Sequence, residues 1–227
     1  LPVAREFEGE TMESAYGLEI PQNLAETCNP RRTALLVYDM QVGIIGQIQN
    51  GPELVTRVKH VLETARAAGL RVFFMRHMSL PKEATGVVQL RMAMAWQKVN
   101  TVADVKPWFL RESPGFQLVP VLNPLPSEVI FDKITMSAFE GTPLDIALRD
   151  CGINSFIIVG VATEIGIEPT VRHGADLGYI PIVVTDACGA GHAEAGERAL
   201  ASIKFMGDAI LTDIQTIRGI LGRTTTA

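Results

Sequence analysis

Two charged residues stand where apolar runs end. Thr33-Ala-Leu-Leu-Val-Tyr38 is a continuous run of β-formers, and Asp39 follows it directly. Such a run reads as a strand buried on both faces. The C-terminal ends of buried parallel strands are where open α/β sheets bind ligands. A carboxylate there is partly desolvated, which raises its pKa toward that of a useful acid or base. The competing reading is an Asp that caps a helix or bonds its own loop. Lys133 follows a second run, Glu128 to Phe131. Alone it reads as a solvated loop lysine. Beside Asp39 it gains a role, because an Asp and a Lys from neighbouring strand ends share a proton and tune each other.

Other candidates gather at the same predicted edge. Arg76 and His77 follow the run Arg71 to Met75 and read either as a carboxylate-binding pair, Arg offering a bidentate fork, or as an exposed loop pair. Glu164 reads either as a group that orients water or a substrate amine, or as a helix N-terminal cap favoured by the dipole. Trp96, with Met92 and Met94, reads as the roof of an apolar pocket or as ordinary core. Cys28, Cys151 and Cys188 are odd in number and widely spaced, which argues against a disulfide framework and for a reducing cytoplasm. Cys151 and Cys188 read as buried small hydrophobes, not nucleophiles. The four histidines fall on separate elements without an Asp-x-His spacing, so no metal is expected. Gly189-Ala-Gly191 matches neither the dinucleotide fingerprint nor a P-loop, so no cofactor is expected.

These residues need a sheet to bring them together, and the chain supplies an alternation of strands and helices. Strands are predicted at Thr33 to Tyr38, Arg71 to Met75, Glu128 to Phe131, Ser155 to Val161, Ile180 to Val184 and Ala209 to Leu211. Helices are predicted at Glu53 to Ala68, within Lys82 to Val99, from Thr142-Pro143 to Gly152, Ile167 to Leu177, Ala193 to Met206 and Asp213 to Leu221. Six strands alternating with helices mean a parallel sheet covered on both faces. Residues 1–32 read as an extended arm and 33–227 as a single domain. The stretch from Pro107 to Pro126 reads as a loop too long to be a mere connector.

Composition excludes several partners. With 227 residues, 47% hydrophobic and 20% charged, the chain is long enough for one sizeable core. A net charge of −5 and the absence of a basic block give no case for nucleic acid or an anionic membrane. The acidic N-terminal segment does not resemble a signal peptide, and the apolar runs are strand-sized, so a cytoplasmic protein acting on a small molecule is expected.

The motifs together resemble the isochorismatase-like hydrolases. Asp39 in Leu-Leu-Val-Tyr-Asp-Met-Gln resembles that family's strand-end aspartate. Lys133, with Ser137, Phe139 and Gly141-Thr142-Pro143-Leu144, resembles its lysine motif, and Gly160-Val161-Ala162-Thr163 and Asp186-Ala187-Cys188 follow in order. The resemblance implies a Rossmann-like three-layer α/β sandwich with a six-stranded parallel β-sheet flanked by helices, usually in homo-oligomers (dimer or tetramer). Most of the family uses an Asp–Lys–Cys triad for amide hydrolysis, and the cysteine position here is Gly166. Glycine has no side chain with which to attack, so the implied chemistry runs without an enzyme thioester.

The resemblance also implies a non-proline cis peptide at Val161–Ala162, with backbone N–H groups near Ala162 and Gly166 aimed at a developing oxyanion and Thr163 among the substrate-binding residues. Gly166 itself reads either as a residue that lets substrate approach or as one that eases packing. Isochorismatases proper are similar in bearing glycine there, and they cleave a vinyl ether by protonation from the aspartate. Vinyl ether cleavage is therefore the leading expectation. The alternatives are direct water-mediated amide or ester hydrolysis, or a binding subunit without catalysis. The corner departs from the isochorismatase pattern Gly-Val-Tyr-Ala-His-x-Gly, reading Gly-Val-Ala-Thr-Glu-Ile-Gly, so the reaction class carries over better than the substrate.

Overall fold

The computed structural model describes residues 12–224. Within that span the expectation of an extended N-terminal arm is corrected. Glu13–Ala15 (β1) and Leu18–Ile20 (β2) pair as an antiparallel hairpin, and Leu24–Thr27 (α1) makes one helical turn. The turn residues Tyr16 and Gly17 both have positive φ, 53° and 77°. Positive φ at both central residues suits a two-residue hairpin, and a tyrosine in the first place hides that signal from the sequence. The rest of the arm, residues 1–11, lies outside the described residues.

The central sheet has six parallel strands: β3 (Thr33–Tyr38), β4 (Arg71–His77), β5 (Val129–Lys133), β6 (Ser155–Val161), β7 (Ile180–Gly189) and β8 (Ile210–Thr212). Their order across the sheet is β5-β4-β3-β6-β7-β8. All six predicted strands appear, and three run further than expected. Arg76 and His77 continue β4 because they pair with Asp132 and Lys133 of β5. They are strand residues, so consecutive side chains go to opposite faces.

The remaining helices are α2 (Val42–Ile45), α3 (Gly51–Ala67), α4 (Val87–Gln97), α5 (Leu144–Asp150), α6 (Glu168–Asp176), α7 (Ala193–Met206) and α8 (Ile214–Thr224). On α3, Leu54, Val55, Val58, Val61, Leu62 and Ala65 are buried, the i, i+3, i+4, i+7 stripe of an amphipathic helix. With Ile217 and Leu221 of α8 they cover Leu35, Val37, Ile157 and Val159 on one side of the sheet. On the other side, Leu144 and Leu148 of α5, Val171 of α6 and Ile203 of α7 cover Leu36, Tyr38, Phe156 and Ile158. The result is a three-layer α/β sandwich. Among the described residues no helix is long and apolar enough to cross a membrane.

The chain lays down β3, β4 and β5 outward in one direction and then returns to place β6 on the other side of β3. That reversal opens a crevice at the C-terminal ends of β3 and β6. The stretch 107–126 folds as short 3₁₀ turns at Pro114–Phe116 and Pro120–Leu122, and Leu118 bridges to Gln41 just beyond β3. It is thereby drawn over the crevice.

Candidate active site

Asp39 leaves β3 in the left-handed region, at φ 50°. A non-glycine residue there costs roughly 1–3 kcal/mol and persists only where surroundings enforce it. Here its N–H donates to Met75 O at 3.0 Å and its carbonyl accepts from Gln41 N at 2.7 Å. Those bonds turn the chain sharply and carry the carboxylate into the crevice. Its side chain is 9% exposed, and Oδ2 accepts from Lys133 Nζ at 2.8 Å. Oδ1 is buried and has no hydrogen-bond partner among the described residues. Burial outweighs the nearby ammonium and pushes the Asp39 pKa up to about 6.

Lys133 ends β5 with its side chain fully buried. Its ammonium also donates to Thr135 O at 3.2 Å and lies 4.3 Å from the centroid of the Tyr38 ring. Burial lowers its pKa, while Asp39 acts to raise it. The two sequence-predicted charges are therefore one contact pair, although their strands are not the neighbours expected: β4 lies between them.

A cavity of about 390 Å³ lies beside this pair. Asp39, His77, Glu164 and His192 bring polar groups to it, and Trp96, Trp108, Phe109, Met136, Val161, Ala162, Ile44, Ile48 and Ile165 form apolar walls. No lysine or arginine is among the lining residues. A smaller recess of about 70 Å³ shares His77, Trp96, Trp108 and Phe109. The His77 ring meets Phe109 edge-on at 5.9 Å. Burial, then Lys133, holds the His77 pKa down at about 3, so the imidazole is neutral.

Of the residues singled out from the sequence, Asp39, His77, Trp96, Ala162 and Glu164 line this cavity. Three do not. Arg76 is corrected as a substrate-binding group: its Nε donates to Asp132 Oδ1 at 2.7 Å and its guanidinium lies 4.3 Å from the Phe116 ring centroid. Strand alternation separates it from His77, and its charge is already paired. Thr163 is buried, with Oγ1 donating to Gly189 O at 2.9 Å. That bond ties the turn to the end of β7. Gly166 is buried against the Tyr38 ring, which fits the packing reading of this glycine and not that of an open approach for substrate.

The Val161–Ala162 peptide is cis, as the resemblance implied. The residues after it begin with a π-helical turn, Thr163–Ile167. The N–H groups of Ile165, Gly166 and Ile167 all donate to Ala162 O, at 3.2, 3.0 and 3.1 Å. At Gly166 the expected oxyanion donor is corrected: its N–H is spent within the turn. Glu164 does act as a helix cap, but for α7, accepting from His192 N at 2.8 Å.

Several cavity residues carry no local signal in the sequence. Trp108 and Phe109 lie in the Pro-rich stretch, where apolar residues have no periodicity to read. Gln41 is fully buried and fastens that stretch to β4: Nε2 donates to His77 O and Phe116 O at 2.9 Å, and Oε1 accepts from His77 N at 2.6 Å. A buried glutamine satisfied on three sides rigidifies what it joins. Its place two residues after Asp39 is a usable signal only through the family motif.

Comparison with known proteins agrees with this architecture. Residues 33–215 match the isochorismatase domain model, beginning at the first residue of β3. The ureidoacrylate amidohydrolase RutB of Serratia proteamaculans (strain 568) is 30% identical over 177 residues, 70% of each chain. The isochorismatase family protein YecD of Escherichia coli O157:H7 is 32% identical over 169 residues, 73% of this chain and 84% of the relative. A crystal structure of a cysteine hydrolase from Pseudomonas syringae pv. phaseolicola 1448A superposes with a TM-score of 0.74 at 25% identity, covering 87% of this chain and 96% of that one. With the matched span running from β3 into α8 and enclosing the whole crevice, this chain belongs to the isochorismatase family and is a hydrolase.

Proposed function

We propose that this hydrolase cleaves a C–N bond of a small amide or ureido substrate by direct proton transfer through Asp39, with no covalent enzyme intermediate. The observation that carries the reading is the Asp39 carboxyl at the cavity wall: one oxygen is held by Lys133 Nζ at 2.8 Å, and the other is buried without a hydrogen-bond partner among the described residues. Ionised Asp39 takes a proton from water as that water attacks the carbonyl carbon. Protonated Asp39 then returns the proton to the leaving nitrogen. Lys133 keeps the carboxylate oriented and holds its pKa below what burial alone would give. An acid near pKa 6 is suited to both halves of that cycle near neutral pH.

Two further observations support the amide reading over the vinyl ether cleavage expected from Gly166. One is the relative named a ureidoacrylate amidohydrolase. The other is the charge of the cavity, which presents Asp39 and Glu164 and no lysine or arginine. Isochorismate is a dicarboxylate, and two carboxylates placed there have no cation to receive them. The vinyl ether reading retains one support, the glycine that isochorismatases share at this position.

The absence of a thioester is supported by the state of the cysteines. Cys28 and Cys188 are held near pKa 12 by burial, and Cys188 Sγ donates to Ile158 O at 3.6 Å. Neither is a thiolate at neutral pH. None of the three cysteines lines the cavity.

The test is a panel of small amides, ureido compounds and vinyl ethers, with wild type, Asp39→Asn and a variant carrying alanine at Cys28, Cys151 and Cys188. The expected result is turnover of an amide or ureido compound, a loss of about 10²–10⁴-fold in Asp39→Asn, and retention of activity without cysteines. The pH profile separates the two chemistries. For Asp39 as base, kcat/KM falls as pH drops below about 6. For Asp39 as the acid in vinyl ether cleavage, it falls as pH rises above that value. Loss of activity in a folded cysteine-free variant would overturn the proposal.

A further inference from the structure

The geometry points to Tyr38 as a positioning residue that holds Lys133 against Asp39 and closes the space above Gly166 to any side chain. This rests on the Asp39–Lys133 reading for its catalytic meaning, but its structural half stands on packing alone.

Tyr38 is the last residue of β3, immediately before Asp39, and is 1% exposed. Three elements converge on its ring. From β5, Lys133 Nζ lies 4.3 Å from the ring centroid while donating to Asp39 Oδ2 at 2.8 Å. From the loop after β5, Met136 O accepts from the Tyr38 hydroxyl, and the Met136 side chain lines the cavity. From the turn after β6, Gly166 presents its α-carbon. A Cβ added there would fall on the Tyr38 Oη, Cε1 and Cζ atoms, far inside van der Waals contact.

A cation over an aromatic face is attracted by the ring quadrupole, more so where water is excluded. The ring thus gives the buried ammonium a second electronegative surface beside the carboxylate and restricts where it can lie. The hydroxyl fixes the ring in turn, since a buried phenol O–H that has found an acceptor does not swing freely. Burial and the neighbouring Asp39 hold the phenol pKa well above its usual value, so it remains a donor.

The same fixation makes the ring unable to yield to a side chain at position 166. The loop it bonds is fastened a second time, because Ala138 N donates to Thr170 Oγ1 at 3.0 Å, and Thr170 Oγ1 donates to Gly166 O at 2.7 Å. Tyr38 and Gly166 therefore form one complementary pair: the glycine leaves the volume that the tyrosine occupies.

Two measurements test this, neither needing a substrate. The first follows the Asp39 carboxyl by ¹³C NMR titration in wild type, Tyr38→Phe and Tyr38→Leu. The groups around that carboxyl are Lys133 on β5, His77 on β4, and Glu164 and His192 across the cavity. Tyr38→Phe keeps the ring and is expected to leave the midpoint in place. Tyr38→Leu removes the face beneath the ammonium, loosens Lys133, and is expected to move the midpoint upward. An unmoved midpoint in folded Tyr38→Leu would overturn the positioning role.

The second compares melting of Gly166→Ala, Tyr38→Val and the double variant. Overpacking in Gly166→Ala is expected to lower Tm by about 3–10 °C. In the Tyr38→Val background the same alanine is expected to lower Tm by much less. Equal losses in the two backgrounds, or no loss in Gly166→Ala alone, would overturn the pairing. Rejection of the amide chemistry by the substrate panel would leave both results standing, so the two failures are distinguishable.

Discussion

Lys133 Nζ meets Asp39 Oδ2 at 2.8 Å although β4 lies between their strands. Two inter-strand spacings, about 10 Å, are bridged by an aspartate that turns back on itself at positive φ and a lysine long enough to reach it. Neither charge is exposed by more than a tenth. The pair is thus a buried one, whose partners are each costly without the other.

Lys133→Met is expected to destabilise the protein by about 3–5 kcal/mol at pH 8, because it leaves the Asp39 carboxylate buried without its cation. The penalty should shrink as pH falls, since Asp39 can then neutralise itself by taking a proton. Urea unfolding of wild type and variant at several pH values checks both the size and the trend. A uniform penalty across pH would mean that lost packing, not lost charge, is what the substitution reads.

The Asp39 pKa, about 6 when folded, lies above its ordinary value of 3.8. The folded state therefore holds the proton more tightly than the unfolded chain does. Its contribution is fully present below the unfolded pKa and is lost as pH rises through the folded one. Between those limits the loss is roughly 3 kcal/mol, at 1.36 kcal/mol per pKa unit. Asp39→Asn cannot titrate, so the stability of wild type relative to this variant should fall by most of that amount from pH 4 to pH 7. Denaturant titrations of the two proteins across that range measure the difference directly, and other carboxylates cancel in the comparison.

Gln41→Leu is expected to cost about 2–4 kcal/mol, since His77 N–H, His77 O and Phe116 O lose their partner in a buried place. The effect should reach further than stability. Gln41 joins the stretch that carries Trp108 and Phe109 to the strand that carries His77, so hydrogen exchange in residues 107–118 should quicken. Unchanged exchange there would show that the antiparallel bridge from Gln41 to Leu118 and the Val42 N to Gln117 O bond suffice to hold the stretch.

The sequence by itself determined the sheet, its six strands, and the Asp39 and Lys133 positions at strand ends. Those features rest on local patterns: continuous apolar runs, helical stripes such as that of α3, and charged residues placed where the runs stop. It also determined that position 166 is a glycine. Only the tertiary structure decided which neighbours those residues meet. Whether Arg76 or His77 faces the cavity depends on how far the β4–β5 ladder continues, and whether Gly166 is open depends on a tyrosine 128 positions earlier. The walls contributed by Trp108 and Phe109 were equally hidden, because an aperiodic loop is placed by long-range contacts such as those of Gln41. Local propensity is written along the chain, but a cavity is an agreement among residues far apart in it, and no short window contains both sides.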